Sequence, residues 1–457
     1  MPWSLALGGM VFWVAVTVGC AGRGDSPAAK TSDKTSPVGT ASAANPVVSS
    51  NAVSTSTIAA APSGSPFWPR FHGPKGDNLS PDTGLLKEWP KSGPPLVWTA
   101  KGLGHGYASV TLANGLIYTA GNLDEKTVVT ALDLDGKPRW QADNGPAWTR
   151  DHPGTRGTPT IDGDRVYHES PLGELTCYDA QSGKKIWGLN ILQEFGGQNI
   201  TWALAESVLI DGDRLICCPG GDKASVAALD KRTGKTVWAS PPLDHESSFC
   251  SPVMVEHGRT RMIVTMTDRA VVAFAPADGR IIWRHPYQNQ RQNHPISPIY
   301  SNGMLYVTSG YGKGAIGLRL ADDGRSVKQV WEQPSQDPVH GQAVLVDGYV
   351  YASSHQSIGG KWSCVEFATG KLMWQDACVG KGGSVVFADG MLYCYSETGV
   401  VGLVRPSSRQ CHLVSTFKVP LGDGSHWAHP VVSNGRLFIR HGNVLMCYAV
   451  SARAGGS

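Results

Sequence analysis

A tryptophan recurs along most of this chain at intervals of 42 to 51 residues. These tryptophans are Trp98, Trp140, Trp187, Trp238, Trp283, Trp331 and Trp374. Phe417 takes the eighth position, 43 residues after Trp374. Self-similarity at a nearly fixed period indicates a repeat architecture, in which each unit buries its apolar face against the next unit.

Each repeat also carries a hairpin signal, and most have Asn-Gly or Asp-Gly before a short strand with an aromatic residue. These dipeptides are Asn114–Gly115, Asp162–Gly163, Asn302–Gly303, Asp347–Gly348, Asp389–Gly390 and Asn434–Gly435. Both residues of such a turn adopt positive φ, which these residue types tolerate. A second polar turn, such as Asp230 to Gly234, leads into most of the tryptophan-bearing strands. A unit of about 45 residues therefore holds about four short strands, which is the content of a propeller blade.

Eight such units predict an all-β protein with a single eight-bladed β-propeller over residues 96–450. The 55 glycines among 457 residues disfavour long helices, and no segment shows a sustained helical period. The strand at Leu96–Trp98 precedes the first hairpin, so we expect it to close the ring against the last blade. Residues 66–95 form a lead-in and residues 451–457 a flexible tail. The net charge of +3 argues against nucleic acid as a partner.

The segment from Ala228 to Trp238 has the pattern Ala-x-Asp-x-x-Thr-Gly-x-x-x-Trp. This pattern resembles the pyrroloquinoline-quinone-like (PQQ-like) propeller repeat, and the resemblance covers Leu96 to Val450. That family includes the quinoprotein alcohol dehydrogenases and non-enzymatic propellers, such as the BamB-type lipoprotein of the outer-membrane assembly machine. The opening Trp68 to Pro74 resembles the start of a bacterial group of such proteins with no assigned activity. The resemblance therefore implies the fold and leaves an enzyme and a binding module open.

The first residues indicate export. Leu5 to Gly19 is an apolar run that ends before Cys20, and it resembles a bacterial lipoprotein signal whose cysteine is lipidated. Residues 1–19 are therefore predicted to be a signal peptide, with a simple signal peptide or an uncleaved anchor as alternatives. All three place the rest of the chain outside the cytoplasm. Residues 20–65 are mostly Ala, Ser, Thr, Pro, Val and Gly, a composition typical of a disordered tether.

Two short motifs have a functional and a structural interpretation. Cys217 and Cys218 are adjacent, and the resemblance to the dehydrogenases would imply a vicinal disulfide over their cofactor. Alignment of the repeats instead places Cys217 in a blade strand, where cysteine behaves as a small hydrophobe. Gly312-x-Gly314-x-x-Gly317 matches a dinucleotide pattern, but Ala315 to Leu320 predicts a strand where that pattern requires a helix.

The segment before each innermost strand of a propeller lies at one mouth of the central channel. The candidate ligand- or cofactor-binding residues in these segments are Arg156, Trp202, Glu206, Asn293, His340, Lys381, Trp427 and His429. Charged and aromatic groups that converge on one axis are typical of a site for a small polar or anionic ligand. The alternative is that these residues are polar strand ends that face water in the channel.

The resemblance to the dehydrogenases would imply PQQ at this mouth and Ca²⁺ held by Glu and Asn side chains, for which Glu206 and Asn293 are the candidates. It would also imply an Asp base, and among these segments only Asp151 is present. We therefore predict a non-catalytic binding or scaffold module of the bacterial cell envelope, exported, anchored through Cys20, monomeric and without a cofactor. Its partner would be an envelope protein or a small polar ligand. A PQQ- and Ca²⁺-dependent alcohol or sugar dehydrogenase is the alternative.

Overall fold

The computed structural model describes residues 66–355 and 359–452. The predicted signal peptide 1–19, the tether 20–65 with Cys20, and residues 453–457 of the tail lie outside the described residues. Within the described part, no helix is both long and apolar enough to cross a membrane.

Eight sheets of four blade strands each form the eight blades. Two strands precede the first blade, β1 (Leu79–Ser80) and β2 (Leu96–Lys101). Blade 1 contains β3 (Thr111–Ala113), β4 (Leu116–Leu123), β5 (Lys126–Asp133) and β6 (Pro138–Pro146). Blade 2 contains β7 (Thr160–Asp162), β8 (Arg165–Glu169), β9 (Glu174–Asp179) and β10 (Lys185–Asn190), followed by the helix α1 (Ile191–Phe195). Blade 3 contains β11 (Leu209–Asp211), β12 (Arg214–Cys217), β13 (Ala227–Asp230) and β14 (Thr236–Ala239). Blade 4 contains β15 (Val253–His257), β16 (Thr260–Met266), β17 (Ala270–Phe274) and β18 (Ile281–Pro286). Blade 5 contains β19 (Ile299–Ser301), β20 (Met304–Ser309), β21 (Gly314–Leu320) and β22 (Val327–Gln333). Blade 6 contains β23 (Val344–Val346), β24 (Tyr349–Ser353), β25 (Trp362–Glu366) and β26 (Leu372–Asp376). Blade 7 contains β27 (Gly383–Ala388), β28 (Met391–Ser396), β29 (Val400–Arg405) and β30 (His412–Lys418). Blade 8 contains β31 (Val431–Ser433), β32 (Arg436–His441), β33 (Val444–Ala449) and, as its fourth strand, β2.

In blades 1 to 7 the blade strands pair antiparallel in chain order, and first strands of neighbouring blades contact one another, as β3 does β7 and β27 does β31. This confirms the predicted all-β, eight-bladed propeller. The ring closes where β2 pairs antiparallel with β33, with Trp98 opposite Cys447. The predicted role of the Leu96–Trp98 strand is therefore confirmed, and the closed ring leaves only short sheet edges exposed.

The tryptophan repeat is a contact between neighbouring blades. The indole Nε1 of Trp140 in blade 1 donates to the carbonyl oxygen of Ala180 in blade 2 at 2.9 Å. Gly183 lies on the face of that indole, where a β-carbon would approach the ring to 2.6 Å, and its φ of 71° suits glycine. Equivalent bonds to the next blade are donated by Trp98, Trp187, Trp238, Trp331 and Trp374. In most repeats the turn and the tryptophan therefore recur together because the turn packs on the tryptophan of the preceding blade.

The first part of the lead-in, residues 66–80, runs inside the ring. Trp68 exchanges two backbone hydrogen bonds with Leu112 of blade 1, at 2.8 and 2.9 Å, and Pro69 accepts one from Ile161 of blade 2 at 2.7 Å. Further along, β1 pairs in parallel with the first strand of blade 7. Trp68 is only 2% exposed. The lead-in thus fills the central channel, which its sequence did not predict.

The cysteines fall into two groups. Cys378 and Cys411 form a disulfide that closes 33 residues of chain, a pairing that the sequence did not reveal. The other described cysteines are buried thiols, and Cys217 and Cys218 are not bonded to each other. The interpretation of Cys217 as a small hydrophobe in a strand is therefore confirmed. The glycine motif also lies in a strand, since Gly314 to Leu320 is β21.

Candidate functional site

A cavity of about 360 Å³ opens at one mouth of the ring. The start of a blade's first strand and the end of its second strand lie at the same mouth of the ring, because the two strands are antiparallel. Seven blades place one residue in the cavity wall from the same position, four residues before the first strand. These residues are Tyr107, Arg156, Ala205, Phe249, Pro295, His340 and Trp427. The repeat therefore builds a single site from many blades, with a different side chain from each.

Six of the eight residues predicted at this mouth do line the cavity. They are Arg156, Trp202, Asn293, His340, Trp427 and His429. Glu206 and Lys381 are not among the lining residues. Glu206 is three residues before its strand rather than four, and its neighbour Ala205 takes the lining position. Lys381 is exposed, and its backbone oxygen accepts the N–H of Glu397 at 3.2 Å. The structure therefore does not bring these two side chains into the cavity with the other six.

Aromatic rings follow one another around the wall. Trp202 stacks parallel to Tyr311 at 6.5 Å, and Tyr311 lies 6.1 Å from His355. His355 lies 5.9 Å from His340, which stacks closely on Trp427 at 3.7 Å and 16°. A wall of such rings suits a ligand with a planar group. The planar group would bury apolar area against the rings and could adopt a favourable ring–ring geometry.

Arg156 supplies the positive charge of the site. Its guanidinium lies 5.5 Å from the ring of Tyr107 and donates to the backbone oxygens of Gly154 at 2.9 Å and His152 at 2.7 Å. Burial lowers its pKa to about 10, so the group stays charged at neutral pH. Among the described residues that line the cavity it is the one Arg or Lys, and none is Asp or Glu. The cavity therefore favours an anionic group near Arg156.

The lead-in forms the floor of the cavity, on the side of the central channel. Phe71 lines it, and the ring of Phe71 lies 4.8 Å from that of His429. The Nε2 of His429 donates to the backbone oxygen of His340 at 2.9 Å, while its Nδ1 has no hydrogen-bond partner among the described residues. Burial lowers the pKa of His429 to about 4, so this imidazole is neutral at pH 7. The site is consequently a blind pocket and not an open channel.

Glu206 belongs to a separate buried group. Its Oε2 accepts the backbone N–H of Cys218 at 3.1 Å, and its Oε1 has no partner among the described residues. Burial raises the pKa of Glu206 to about 8. Burial, and then the charge of Glu206, raises the pKa of Glu169 well above its usual range. The two buried carboxyls therefore lie close enough to interact electrostatically.

The residues present do not fit the quinone and Ca²⁺ that the dehydrogenase resemblance implies. Of the two metal ligands expected, only Asn293 lines the cavity, and the carboxylate of Glu206 is engaged by a backbone N–H. The thiols of Cys217 and Cys218 are unbonded and lie in the core. Asp151, the one candidate base, is exposed, and its backbone oxygen accepts from Trp148 Nε1. The ligands for Ca²⁺ are thus not assembled, because Ca²⁺ needs six to eight oxygens.

Three residues of the site that follow second strands were not predicted from the sequence. Tyr311 and His355 line the cavity, and Glu397 lies directly behind His340. His355 and Glu397 each lie four residues after the aromatic residue of the hairpin, Tyr351 and Tyr393 respectively. The same antiparallel geometry that brings the first strands' starts to the mouth brings these positions there too. The same position in the repeats points to His355 and Glu397, whereas Tyr311 lies one residue further on, five after Tyr306.

Comparison with known proteins yields one matching family model, described as outer membrane protein assembly factor BamB, over residues 80–223, 222–327 and 320–410. The outer membrane protein assembly factor BamB of Moranella endobia is 24% identical over 306 residues, covering 61% of this chain and 76% of that protein. The quinoprotein ethanol dehydrogenase of Pseudomonas aeruginosa is 26% identical over 134 residues, covering 27% of this chain and only 21% of that protein.

Two solved structures show the same fold. BamB from Moraxella catarrhalis has a TM-score of 0.55 at 16% identity, covering 79% of this chain and 99% of that one. A quinohemoprotein alcohol dehydrogenase from Comamonas testosteroni has a TM-score of 0.58 at 13% identity, covering 86% and 82%. At these identities the similarity is one of architecture, and it does not separate the two function classes.

Proposed function

This chain belongs to the outer membrane protein assembly factor BamB family, and on that basis we propose that it is a binding and scaffold module of the bacterial cell envelope. In this proposal the chain is exported, held at a membrane by lipid on Cys20, and works as a single propeller without a catalytic role. The blind cavity at the mouth engages a partner protein or a small ligand.

The observation that carries the proposal is the chemistry of the cavity wall. It combines stacked aromatic rings with one guanidinium, that of Arg156, and has no carboxylate among its described lining residues. A partly apolar, planar group with an anionic end matches such a wall. An aromatic side chain next to a carboxylate on a partner segment would satisfy it, and so would a small aromatic acid.

The disulfide supports the location outside the cytoplasm. Cys378–Cys411 joins the segment after β26 to the segment before β30, and disulfides persist mainly in oxidising compartments. The apolar run before Cys20 is consistent with the same route.

Photo-crosslinking in the native cells tests the proposal. A photoreactive phenylalanine analogue at Phe249, which lines the cavity, should give a discrete adduct with an outer-membrane assembly protein. The matched control is the same analogue at Val237, which is 49% exposed on the outer strand of the neighbouring blade. Arg156→Ala should lower the yield at position 249, because the cation is lost. Equal adducts at both positions, or an adduct unaffected by Arg156→Ala, would contradict a role for the cavity.

Titration with PQQ and Ca²⁺ tests the dehydrogenase alternative. We expect no saturable heat, because Glu206 is turned away from the cavity. Tight, Ca²⁺-dependent binding would overturn the non-catalytic proposal and make alcohol oxidation with a dye acceptor the next assay.

A further inference from the structure

Three side chains with metal-binding atoms meet at the wall of the cavity. His340 precedes blade 6, His355 follows the second strand of blade 6, and Glu397 follows the second strand of blade 7. One ligand atom from each lies within 4.8 Å of the others. The His340 Nδ1 and the Glu397 Oε1 are 3.0 Å apart. Small side-chain rotations are sufficient to bring three such atoms onto one ion at the roughly 2.0–2.2 Å bond lengths of nitrogen and oxygen ligands.

We propose that His340, His355 and Glu397 bind a divalent first-row transition-metal ion of the Zn²⁺ type, with open coordination positions toward the cavity. Two imidazole nitrogens and one carboxylate suit Zn²⁺ and its neighbours in the first row, whereas Ca²⁺ prefers an all-oxygen set. Three protein ligands leave at least one position for water or for an anionic ligand. The site is distinct from the Glu206 and Asn293 pair considered for Ca²⁺.

The second carboxylate oxygen of Glu397 is an independent indication of a missing ligand. The Glu397 side chain is only 4% exposed, and its Oε2 is buried without a hydrogen-bond partner among the described residues. Buried carboxylate oxygens are rarely left without a hydrogen-bond partner, because removing such an oxygen from water is costly unless a partner replaces the water. A metal ion beside Glu397 would remove that cost.

The surroundings hold the three groups in place. The His340 ring is fixed by stacking on Trp427, and its backbone oxygen accepts from His429 at 2.9 Å. The backbone N–H of His355 donates to the Asp337 oxygen at 2.9 Å, and that of Glu397 donates to the oxygens of Lys381 and Gly382. Anchored ligands of this kind lower the cost of ordering a site when the ion binds.

The bound ion would also give the cavity a second positive centre, across from Arg156. His340 and Arg156 occupy the same lining position in blades 6 and 2, which are opposite in a ring of eight. An anionic group of the ligand could then reach the open metal position, and a second one could reach the guanidinium. The cavity would thus suit a ligand with two anionic ends.

Calorimetric titration of the chelator-treated full-length chain with ZnCl₂ tests the proposal. We expect one equivalent to bind, with affinity lowered about tenfold or more in His355→Ala and in the near-isosteric Glu397→Gln. His412→Ala, an exposed histidine on the outer strand of blade 7, is the matched control and should keep the affinity. Thermal unfolding of each variant without metal separates loss of binding from loss of folding.

Cobalt substitution gives a second readout that does not depend on heat. Co²⁺ bound by two imidazoles and a carboxylate should show visible d–d absorption, which Glu397→Gln and His355→Ala should change and His412→Ala should not. Absence of stoichiometric binding, or binding and spectra that survive in both ligand variants, would overturn the site.

Discussion

Two opposite sectors of the ring bury carboxyl groups near the mouth, and they treat the charge differently. In the acidic-pair sector, blades 2 and 3 bring Glu169 and Glu206 together, 4% and 1% exposed. In the histidine sector, blades 6 and 7 bring Glu397 to the His340 imidazole at 3.0 Å, with His355 beside it. A buried carboxyl therefore does not by itself mark a binding site, because its neighbours decide whether it carries charge.

The acidic-pair sector compensates by protonation. Neither carboxylate oxygen of Glu169 has a hydrogen-bond partner among the described residues, and Cys217 and Cys218 add no positive charge nearby. Burying two unpaired carboxylates is costly, so at least one proton stays bound at neutral pH. In the histidine sector, the imidazoles of His340 and His355 lie beside the carboxyl group of Glu397, and imidazoles can donate hydrogen bonds or bind a metal ion. The first sector is thus suited to a structural role and the second to binding a cation.

The largest expected difference concerns covalent support. The histidine sector is cross-linked by Cys378–Cys411, whereas the cysteines of the acidic-pair sector remain thiols. Replacing both bridge cysteines with serine should lower the free energy of unfolding by about 3 to 4 kcal/mol, since the bridge closes 33 residues. Urea denaturation would measure this. Reductant should lower the stability of the unmodified chain equally and leave the double variant unchanged; insensitivity of the unmodified chain would contradict the bridge's role.

The second prediction is a pH dependence that arises from the acidic-pair sector. The folded pKa of Glu206 is about 8 against an ordinary 4.5, so the folded state holds more protons between these values. The unfolding free energy should therefore fall as pH rises from about 5 to 8, by roughly 3 kcal/mol at about 1.4 kcal/mol per pKa unit.

The double variant Glu169→Gln, Glu206→Gln should abolish most of this slope, because glutamine mimics the protonated acid without titrating. Glu88→Gln, at an exposed glutamate, is the control and should keep the slope. Chemical denaturation at several pH values gives the measurement. A slope unchanged in the double variant would mean that the pair is not protonated in the folded state.

The repeat made the fold and much of the mouth predictable. Trp98 and the hairpin dipeptides fix strand positions because each tryptophan packs on the next blade's turn. The residue four positions before the start of a blade's first strand then identifies lining residues such as Arg156 and His340. This periodic signal extends over the whole ring, so small errors in any one blade do not change the assignment.

Single-residue register was harder to predict. Glu206 aligns with Ala108, Gly157 and Ala428, which lie three residues before a first strand and are buried. The lining residues lie four residues before the strand. An alignment of the repeats that is off by one residue therefore confuses the buried position with the lining position. The Cys378–Cys411 pairing and the path of Trp68 through the channel depend on contacts between distant segments, which leave no periodic trace.

The third prediction compares two glycines at that same buried position, one in each sector. A β-carbon on Gly157 would lie 2.8 Å from the carbonyl oxygens of Glu169 and Glu206, whereas one on Gly341 would lie 1.8 Å from that of Gly383. Gly341→Ala should therefore cost more, about 3 kcal/mol against about 1 to 2 for Gly157→Ala, as expected for overpacking. Thermal unfolding shows which of the two variants loses more stability. Equal losses would show that the backbone of the histidine sector can move to accommodate the added methyl group.

The smallest expected effect concerns the aromatic walls of the two sectors. His340 stacks on Trp427 at 3.7 Å, while Trp202, which precedes blade 3, lies 6.5 Å from Tyr311, which follows the second strand of blade 5. Trp427→Ala should lower the unfolding free energy by about 1 kcal/mol, and Trp202→Ala by less than about 0.5 kcal/mol.

A double-mutant cycle between His340→Ala and Trp427→Ala isolates the stack, with an expected coupling of about 0.5 to 1.5 kcal/mol. The matching cycle between Trp202→Ala and Tyr311→Ala should give a smaller coupling, because those ring centroids are 6.5 Å apart, near the upper end of the range over which aromatic pairs interact. The contrast matters for function, since a rigid His340 suits a metal ligand and a loosely held Trp202 suits a surface that adapts to its ligand. Equal coupling energies in the two cycles would remove this distinction between the sectors.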